Sequence, residues 1–222
     1  MENPTIAVIG GTGPQGRALG LRLAAAGHDV VLGSREAARA GAAAEELASG
    51  RELRGSVTGA ANHDAAAKAD IVLLAVPYKG HGELVAQLAD VTSGKIVISC
   101  VNPLGFDRSG PYGLSLESGS AAEEAAALLP DAVVVGAFHH LSAVTLLEGG
   151  ELDEDVLVCS DRTDAAEVVA DLARSVTGRR GIHAGPLRLA RQLEPLTAVL
   201  ISVNRLHRAH SGVRLTGLDR TA

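Results

Sequence analysis

The segment from Ile6 to Arg35 constrains the fold of this chain more than any other. It contains a short β-branched run, a glycine-rich turn with the spacing Gly11-x-Gly13-x-x-Gly16, an Ala/Leu-rich stretch that ends at Gly27, and a second apolar run. This order predicts a strand, a loop, a helix and a strand. In that context the spacing G-x-G-x-x-G indicates a dinucleotide-binding site.

The loop residues have separate physical roles. Gly11 permits a tight turn out of the strand, Gly13 lets a pyrophosphate approach its backbone, and Gly16 allows the helix to pack closely on the strand. Pro14 suits the first helical turn, where its missing N–H would have no helical partner in any case. Because unpaired N–H groups and the helix dipole attract phosphate at such a helix start, we predict that a dinucleotide binds here.

The end of the second strand predicts which dinucleotide binds. NAD-binding chains usually carry Asp or Glu about 20 residues after the glycines, where it holds the ribose 2′-hydroxyl. This chain has Gly33-Ser34-Arg35 there instead, and Arg39 lies one helical turn further on. A hydroxyl and two guanidinium groups suit a 2′-phosphate, so we predict NADP rather than NAD, although Glu36 adds a negative charge nearby. The alternative is a glycine-rich turn with arginines that face solvent.

Further apolar runs alternate with helical stretches. The run from Asp70 to Pro77 is continuous, as in a central parallel strand, and it places Val76 and Pro77 at the edge where open α/β sheets bind ligands. The alternation predicts a Rossmann-type, doubly wound, mainly parallel α/β sheet with a small C-terminal helical extension. We expect residues 1–145 to form an NADP-binding domain and residues 146–222 to complete its cleft, within one compact unit.

The second half of the chain has less regular patterns. The Gly/Ser-rich stretch from Phe106 to Gly119 predicts a long loop, and Ile182 to Gly185 predicts a last short strand. Pro186 to about Arg208 has helical spacing and predicts a long helix, interrupted or kinked at Pro195. Because the sheet uses most of the chain, we expect the second reactant to lie in a shallow cleft beside the nicotinamide.

Composition argues against several classes of protein. Among 222 residues 46% are hydrophobic but only 2% are aromatic, which predicts an aliphatic core, and the net charge of −6 argues against general nucleic-acid binding. Cys100 and Cys159 lack metal or redox spacing, so we expect two buried thiols in a reducing compartment. With neither a signal peptide nor a membrane-spanning run in view, we expect a cytoplasmic protein that has no metal site.

The pair His139-His140 is the candidate for contact with the second reactant. It follows the apolar run Ala132–Phe138, close to the expected place of the nicotinamide. Successive side chains of a strand point to opposite faces, so at most one of the two should face the cleft. A cleft-facing His139 can hydrogen-bond a carbonyl or ring nitrogen of the acceptor and can titrate near neutral pH. The alternative is a purely structural histidine.

The chain resembles, along nearly its whole length, the NADPH-dependent reductases of the deazaflavin coenzyme F420, also called F420-dependent NADP oxidoreductases. The segments that carry the resemblance are Gly10 to Gly16, Gly33 to Arg35, Val76-Pro77, Phe138 to Ala143, Asp155 to Cys159, Ala184 to Leu187 and Glu194 to Thr197. The glycine motif is common to many reductases. The His139 segment together with Ala184-Gly185-Pro186-Leu187, in so short a chain, is far more specific.

The resemblance implies hydride transfer between NADP(H) and coenzyme F420 as co-substrates, by a homodimer or higher homo-oligomer. It implies a pyrophosphate site at Thr12, Gly13, Pro14 and Gln15, and a 2′-phosphate site at Ser34, Arg35 and Arg39. It implies that the nicotinamide is bordered by Val76, Val101 and Ala143, and that the deazaflavin is contacted by His139 and Leu141. His139 would be the catalytic-site residue that orients or polarises the deazaflavin ring, without being an obligatory acid or base.

Two other functions fit part of the pattern. An NADP-dependent imine or ketone reductase of the pyrroline-carboxylate or β-hydroxyacid type would share the glycine loop, but it usually has a larger helical C-terminal region and often a catalytic lysine. A non-catalytic NADP-sensing module would bind NADPH without turnover. The histidine segment at the end of a strand favours an enzyme.

Overall fold

A computed structural model describes residues 3–218 of the chain. The strands in this range are β1 (Ile6–Ile9), β2 (Val30–Ser34), β3 (Val57–Ala61), β4 (Ile71–Leu74), β5 (Ile96–Ser99), β6 (Leu104–Asp107), β7 (Gly110–Gly113), β8 (Val133–Gly136), β9 (Leu157–Cys159) and β10 (Ile182–Gly185). The helices in this range are α1 (Pro14–Ala26), α2 (Ala37–Ala48), α3 (Asn62–Lys68), α4 (His81–Ala86), α5 (Ala89–Thr92), α6 (Ala121–Leu128), α7 (Ala143–Glu148), α8 (Thr163–Thr177) and α9 (Ala190–His207).

Eight strands form one sheet in the order β10-β9-β8-β5-β4-β1-β2-β3. Six of its seven neighbouring pairs are parallel, and β8 and β9 are antiparallel at the single pair Gly136 and Cys159. Ile6 pairs with Val30 of β2 on one side and with Ile71 of β4 on the other. The strand order therefore reverses at β1, and ligands of open α/β sheets bind outside the carboxyl ends at this point. The predicted Rossmann-type, mainly parallel sheet with a C-terminal helix is confirmed.

The sheet is covered on both faces by aliphatic side chains. Alternate residues of β1 show the division, because Ile6 and Val8 join one buried cluster while Ala7 and Ile9 join the other. Phe138 is the one aromatic residue among the buried hydrophobic residues of the range that the structure describes. This agrees with the aliphatic core predicted from composition.

Two local predictions in the second half of the chain were only partly right. The expected loop from Phe106 to Gly119 begins as an antiparallel hairpin of β6 and β7, which pair Leu104 with Gly113 and Asp107 with Gly110. The turn at the tip of the hairpin is stabilised by the Asp107 carboxylate, which accepts hydrogen bonds from the N–H groups of Ser109 and Gly110.

The predicted long C-terminal helix is also different in detail. A short 3₁₀ turn over Leu187–Leu189 precedes α9, and α9 then continues through Pro195 without interruption. Pro195 lies in the second turn of α9, so the carbonyl that loses its helical partner belongs to Arg191, near the start of the helix. The predicted last strand is confirmed as β10.

Both cysteines are buried and free, as expected. Burial raises the pKa of the Cys100 thiol and of the Cys159 thiol to about 12, so both stay protonated and unreactive near neutral pH. No helix between residues 3 and 218 is both long enough and apolar enough to cross a membrane.

Candidate cofactor and active site

The glycine loop connects the end of β1 to the start of α1 and is held against both neighbouring strands. The N–H of Gly11 donates to the carbonyls of Val8 and Gly33, each at 3.0 Å. Gly10 has a φ of +79°, and a Cβ on Gly16 would lie 2.6 Å from the Gly10 carbonyl oxygen. The loop is therefore too tight for side chains at these positions, and its backbone stays open to a ligand.

The start of α1 has the features of an anion site. Gly13 is the N-cap residue, no side chain within residues 3–218 caps the helix, and Pro14 lies in the first turn. The first N–H groups of the 13-residue helix are thus available to a ligand, and the helix dipole favours negative charge there.

A cavity of about 550 Å³ opens above the ends of β1, β2 and β4. The predicted residues that line it are Thr12, Gly13, Ser34, Arg35, Arg39, Val76 and Pro77. Its other lining residues are Gly10, Asn62, Ala75, Lys79, Gly80, Glu83, Leu84 and Gln87. The hydroxyl and the two arginines expected to hold a 2′-phosphate are therefore brought together in one place.

The charges of this cavity favour an anion. Arg35, Arg39 and Lys79 contribute three cations, and Glu83 contributes one carboxylate. Among the described residues, none of these three cations forms an ion pair with a protein carboxylate. Their charge is thus available to a phosphate, for which Arg offers a bidentate fork and Lys a point charge.

A second cavity of about 310 Å³ adjoins the first. The two cavities share Gly13 and the three residues after β4, namely Ala75, Val76 and Pro77. The remaining lining residues are Pro14, Gln15, Cys100, Asn102, His139, Leu141 and Thr197. A ligand that extends along the glycine loop would therefore pass from the cationic cavity into the one that holds His139.

His139 lines the second cavity, and His140 points elsewhere. The His140 Nε2–H donates to the carbonyl oxygen of Leu193 at 2.7 Å. Both ring nitrogens of His139 are buried and have no hydrogen-bond partner within the described range. A buried polar atom without a partner costs about 1–3 kcal/mol, so the ring is suited to a ligand that supplies the missing bond.

The protonation state of His139 differs from the expectation. Burial, with a smaller contribution from the charge of His140, lowers the pKa of His139 to about 3. The ring is therefore neutral throughout the physiological range, and titration near neutral pH was a wrong prediction. The physical reason is that the ring is only 4% exposed and burial disfavours its charged form, and among the described residues no carboxylate contributes a stabilising interaction.

The backbone of His139 is held firmly. Its carbonyl oxygen accepts hydrogen bonds from Asn102 Nδ2 at 2.9 Å and from Thr197 Oγ1 at 3.0 Å. Phe138, immediately before it, is buried with a φ of 63°, a left-handed conformation that costs of order 1–3 kcal/mol for a residue other than glycine. The surrounding packing thus compensates for local strain and fixes the direction of the His139 side chain.

Four predicted residues line neither cavity. Gly11 in the loop and Gly16 in the first turn of α1 are buried and allow close packing, because a Cβ on either would lie within 3 Å of neighbouring atoms. Val101 is buried in the aliphatic cluster below the second cavity, while its neighbours Cys100 and Asn102 line that cavity. Ala143 is the first residue of α7 and is partly buried.

Six polar lining residues were not predicted from the sequence: Asn62, Lys79, Glu83, Gln87, Asn102 and Thr197. Lys79 and Asn102 had an available signal, because each follows an apolar run that ends at the ligand-binding edge of the sheet. Asn62 is the first helical residue of α3, whose N-cap is Ala61, and no sequence motif marks it as a lining residue. Thr197 lies in the segment Glu194 to Thr197 that carries the family resemblance, but nothing in that segment predicts that packing brings α9 to the ends of the strands. Within the described residues there is no group of three or more His, Cys, Asp or Glu side chains that could hold a metal ion.

The fold and the two adjoining cavities define a Rossmann-type dinucleotide-binding protein with a second site beside the dinucleotide. Residues 5–103 match the family described as NADP oxidoreductase, coenzyme F420-dependent. The chain is 43% identical to the F420-dependent NADP reductase of Methanothermobacter thermautotrophicus, over 96% of this chain and 95% of that protein. It is 39% identical to the enzyme of the same description from Methanothermobacter marburgensis, over 96% of this chain and 98% of that protein.

A solved structure agrees with these relatives. The crystal structure of a protein from Arthrobacter sp. FB24, provisionally assigned as an F420-dependent NADP reductase, matches with a TM-score of 0.80 at 26% identity. The match covers 96% of this chain and 100% of that one. The chain belongs to the family of F420-dependent NADP oxidoreductases.

Proposed function

We propose that this protein transfers a hydride between NADP(H) and coenzyme F420. The main support for this proposal is that the two cavities adjoin: a cationic site suited to a dinucleotide meets a site lined by the neutral ring of His139. Hydride moves between C4 of the nicotinamide and C5 of the deazaflavin. For such a reaction a protein mainly has to hold two rings face to face, about 3–3.5 Å apart.

The lining residues fit this task. Thr12 to Gln15 hold the pyrophosphate at the start of α1, and Ser34, Arg35 and Arg39 hold the 2′-phosphate. Val76 and Pro77 line both cavities where these meet and form an apolar wall for the nicotinamide. We keep Val101 and Ala143 as neighbours of the same end, although neither lines a cavity. We assign the deazaflavin contacts to His139 and Leu141.

His139 acts in this proposal as a neutral hydrogen-bonding group. With a pKa of about 3 it is not an imidazolium at neutral pH and so is not a general acid; its neutral ring, with one N–H donor and one acceptor nitrogen, can pair with polar atoms of the deazaflavin ring. Asn102 and Thr197 keep its backbone in place through the His139 carbonyl. Catalysis then comes from orientation and from a dry, apolar cleft.

The direct test is spectroscopic. The purified protein is mixed with NADPH and oxidised coenzyme F420, and absorbance is followed in the deazaflavin band; NADP and reduced F420 test the opposite direction. We expect enzyme-dependent loss of the oxidised band in the first reaction. Tight NADPH binding with no turnover in either direction would instead support a non-catalytic NADP-sensing module.

A variant tests the assignment of the 2′-phosphate site. Replacing Arg35 by Ala removes a charge-assisted hydrogen bond to phosphate, which contributes about 1.5–3 kcal/mol, so KM for NADPH should rise about tenfold or more. KM for NADH should change little, because NADH lacks the 2′-phosphate. Equal changes for both nucleotides would contradict the assignment.

The assembly and the compartment are also part of the proposal. We infer a homo-oligomer, because the second half of α9 and the β6–β7 hairpin expose apolar side chains, namely Phe106, Tyr112, Val199 and Leu206. The two free thiols fit a reducing cytoplasm. We retain the division into an NADP-binding part, residues 1–145, and a C-terminal part, residues 146–222, which supplies Thr197 to the second cavity. Sedimentation analysis of the purified chain tests the oligomer.

A further inference from the structure

The end of β2 lacks the carboxylate that binds ribose in NAD-dependent chains, and another side chain occupies the adjacent space. β2 and β3 are parallel and in register, with Gly33 opposite Ala60 and Ser34 opposite Ala61. Asn62 follows directly as the first residue of α3. A Cβ on Gly33 would lie only 2.8 Å from Asn62 Oδ1, so the Asn62 amide fills the volume that a side chain at position 33 would take.

The Asn62 amide is buried and incompletely hydrogen-bonded. The residue is 9% exposed, and its Oδ1 has no hydrogen-bond partner among residues 3–218. Native proteins seldom leave a buried acceptor without a partner, so its presence needs a reason. The same side chain lines the 550 Å³ cavity together with Ser34 and Arg35, which places an amide with an unpartnered Oδ1 next to the proposed 2′-phosphate site.

We propose that Asn62 binds the free hydroxyl of the adenosine ribose and is a specificity-determining residue for the dinucleotide. The inference rests on the proposed NADP site and adds a residue to it. In NADP the 2′-oxygen carries the phosphate, so the hydroxyl left on that ribose is at the 3′ position. An amide can pair with this hydroxyl as a carboxylate does, but it carries no charge and does not repel the phosphate.

This role separates Asn62 from the arginines. The ribose 3′-hydroxyl is present in both NADPH and NADH, whereas Arg35 and Arg39 contact a group that only NADPH has. Removal of the Asn62 amide should therefore weaken both nucleotides equally. Replacement by Asp keeps the size and restores the carboxylate of an NAD site, so it should weaken NADPH through charge repulsion and retain or strengthen NADH.

The experiment measures the dissociation constants of NADPH and NADH by titration calorimetry for the wild type, N62A, N62D and R35A. One hydrogen bond is worth about 1 kcal/mol, so we expect N62A to bind both nucleotides about fivefold more weakly. For N62D we expect NADPH to weaken about tenfold or more, with NADH unchanged or tighter. R35A provides the contrast, since it should weaken NADPH alone.

Different binding results would refute the role of Asn62 and the dinucleotide site itself. If the wild type binds NADPH but N62A and N62D bind both nucleotides as the wild type does, Asn62 does not contact the ribose and the inference is wrong. Loss of NADPH binding alone in N62A also overturns it, because that is the pattern of a phosphate contact. A wild type that binds neither nucleotide refutes the dinucleotide site itself. N62D differs from the native side chain by one atom, so its selectivity can be measured even if N62A folds poorly.

Discussion

The carboxyl group of Glu194 connects α9 to α6 and offers a test of how the active site is supported. Glu194 is 1% exposed, and its two oxygens accept hydrogen bonds from the N–H groups of Ala121 at 2.8 Å and Ala122 at 3.0 Å. The preceding residue, Leu193, accepts the hydrogen bond of His140. A single turn of α9 thus holds the start of α6 on one side and the histidine segment on the other.

The ionisation of Glu194 should make the stability of the fold depend on pH. Burial raises its pKa from 4.5 to about 7, although the two N–H groups lower it, and the carboxylates of Glu123 and Glu124 raise it further. A group whose pKa is higher in the folded protein than in the unfolded chain stabilises the fold at low pH, and this contribution is lost as the pH rises through the folded value. The pKa difference, 7 minus 4.5, corresponds to about 3 kcal/mol in total, of which about 2–3 kcal/mol falls between pH 5 and pH 8.

Replacing Glu194 by Gln tests this expectation, because a glutamine side chain at this position cannot ionise. Urea unfolding is followed at pH 5 and pH 8 by far-ultraviolet circular dichroism, because the chain contains no tryptophan. Relative to the variant, the wild type should lose about 2–3 kcal/mol of unfolding free energy between the two pH values. Because the wild type and the variant share all other ionisable groups, the contribution of those groups to the pH dependence of the unfolding free energy cancels in the comparison. Glu117→Gln, which changes an exposed carboxylate, is the matched control and should retain the wild-type pH dependence.

Identical pH dependence in the wild type and in Glu194→Gln would refute this reasoning. It would mean that the two N–H groups at the start of α6 stabilise the carboxylate enough to offset its burial, so that the folded pKa stays close to 4.5.

Three further predictions concern the site directly. Gly16→Ala would place a Cβ 2.6 Å from the Gly10 carbonyl oxygen, and the resulting strain of about 1–3 kcal/mol should appear in calorimetry as weaker NADPH binding; unchanged affinity would show that the loop can widen. Lys79→Ala should raise KM for NADPH by about two- to fivefold in steady-state assays, as expected for an exposed cation. Lys68→Ala, at the opposite edge of the sheet, should have no effect. Because the pKa of His139 is about 3, kcat for His139→Gln should be lower than wild type but show the same pH profile from pH 5 to pH 9; a difference between the two profiles would mean that His139 titrates there.

The pattern of apolar residues along the sequence predicted the main strands of the sheet well, but it predicted the segments that connect them less well. The apolar runs of β1, β4 and β8 identify strands on their own, because a strand covered on both faces has to be apolar at every position. The β6–β7 hairpin was missed because its sequence is rich in Gly and Pro, which indicate a turn without showing what pairs around it. The antiparallel pairing of Gly136 with Cys159 could not be predicted either, since it depends on how the segment after α7 returns to the sheet.

The candidate site also contains residues that the sequence predicts and residues that it does not. Its glycines and arginines have fixed spacing from one strand end, so the sequence is enough to predict that Ser34, Arg35 and Arg39 come together. The protonation of His139 could not be predicted, because its lowered pKa comes mainly from burial of the ring, which depends on the three-dimensional packing. The positions of Asn62 and Thr197 could not be predicted either. Asn62 lies in an element that has no motif, and the resemblance at Glu194 to Thr197 does not show that α9 packs against the ends of the strands.

The three residues after β4 explain why one compact sheet can serve two large co-substrates. Ala75, Val76 and Pro77 line both cavities, and β4 lies between β1, which carries the glycine loop, and β5, which leads to β8 and His139. A dinucleotide held at the glycine loop therefore reaches the second cavity at this apolar wall. The partner ring can lie over it in the cleft next to a neutral imidazole, so the fold needs no separate domain to enclose a small metabolite.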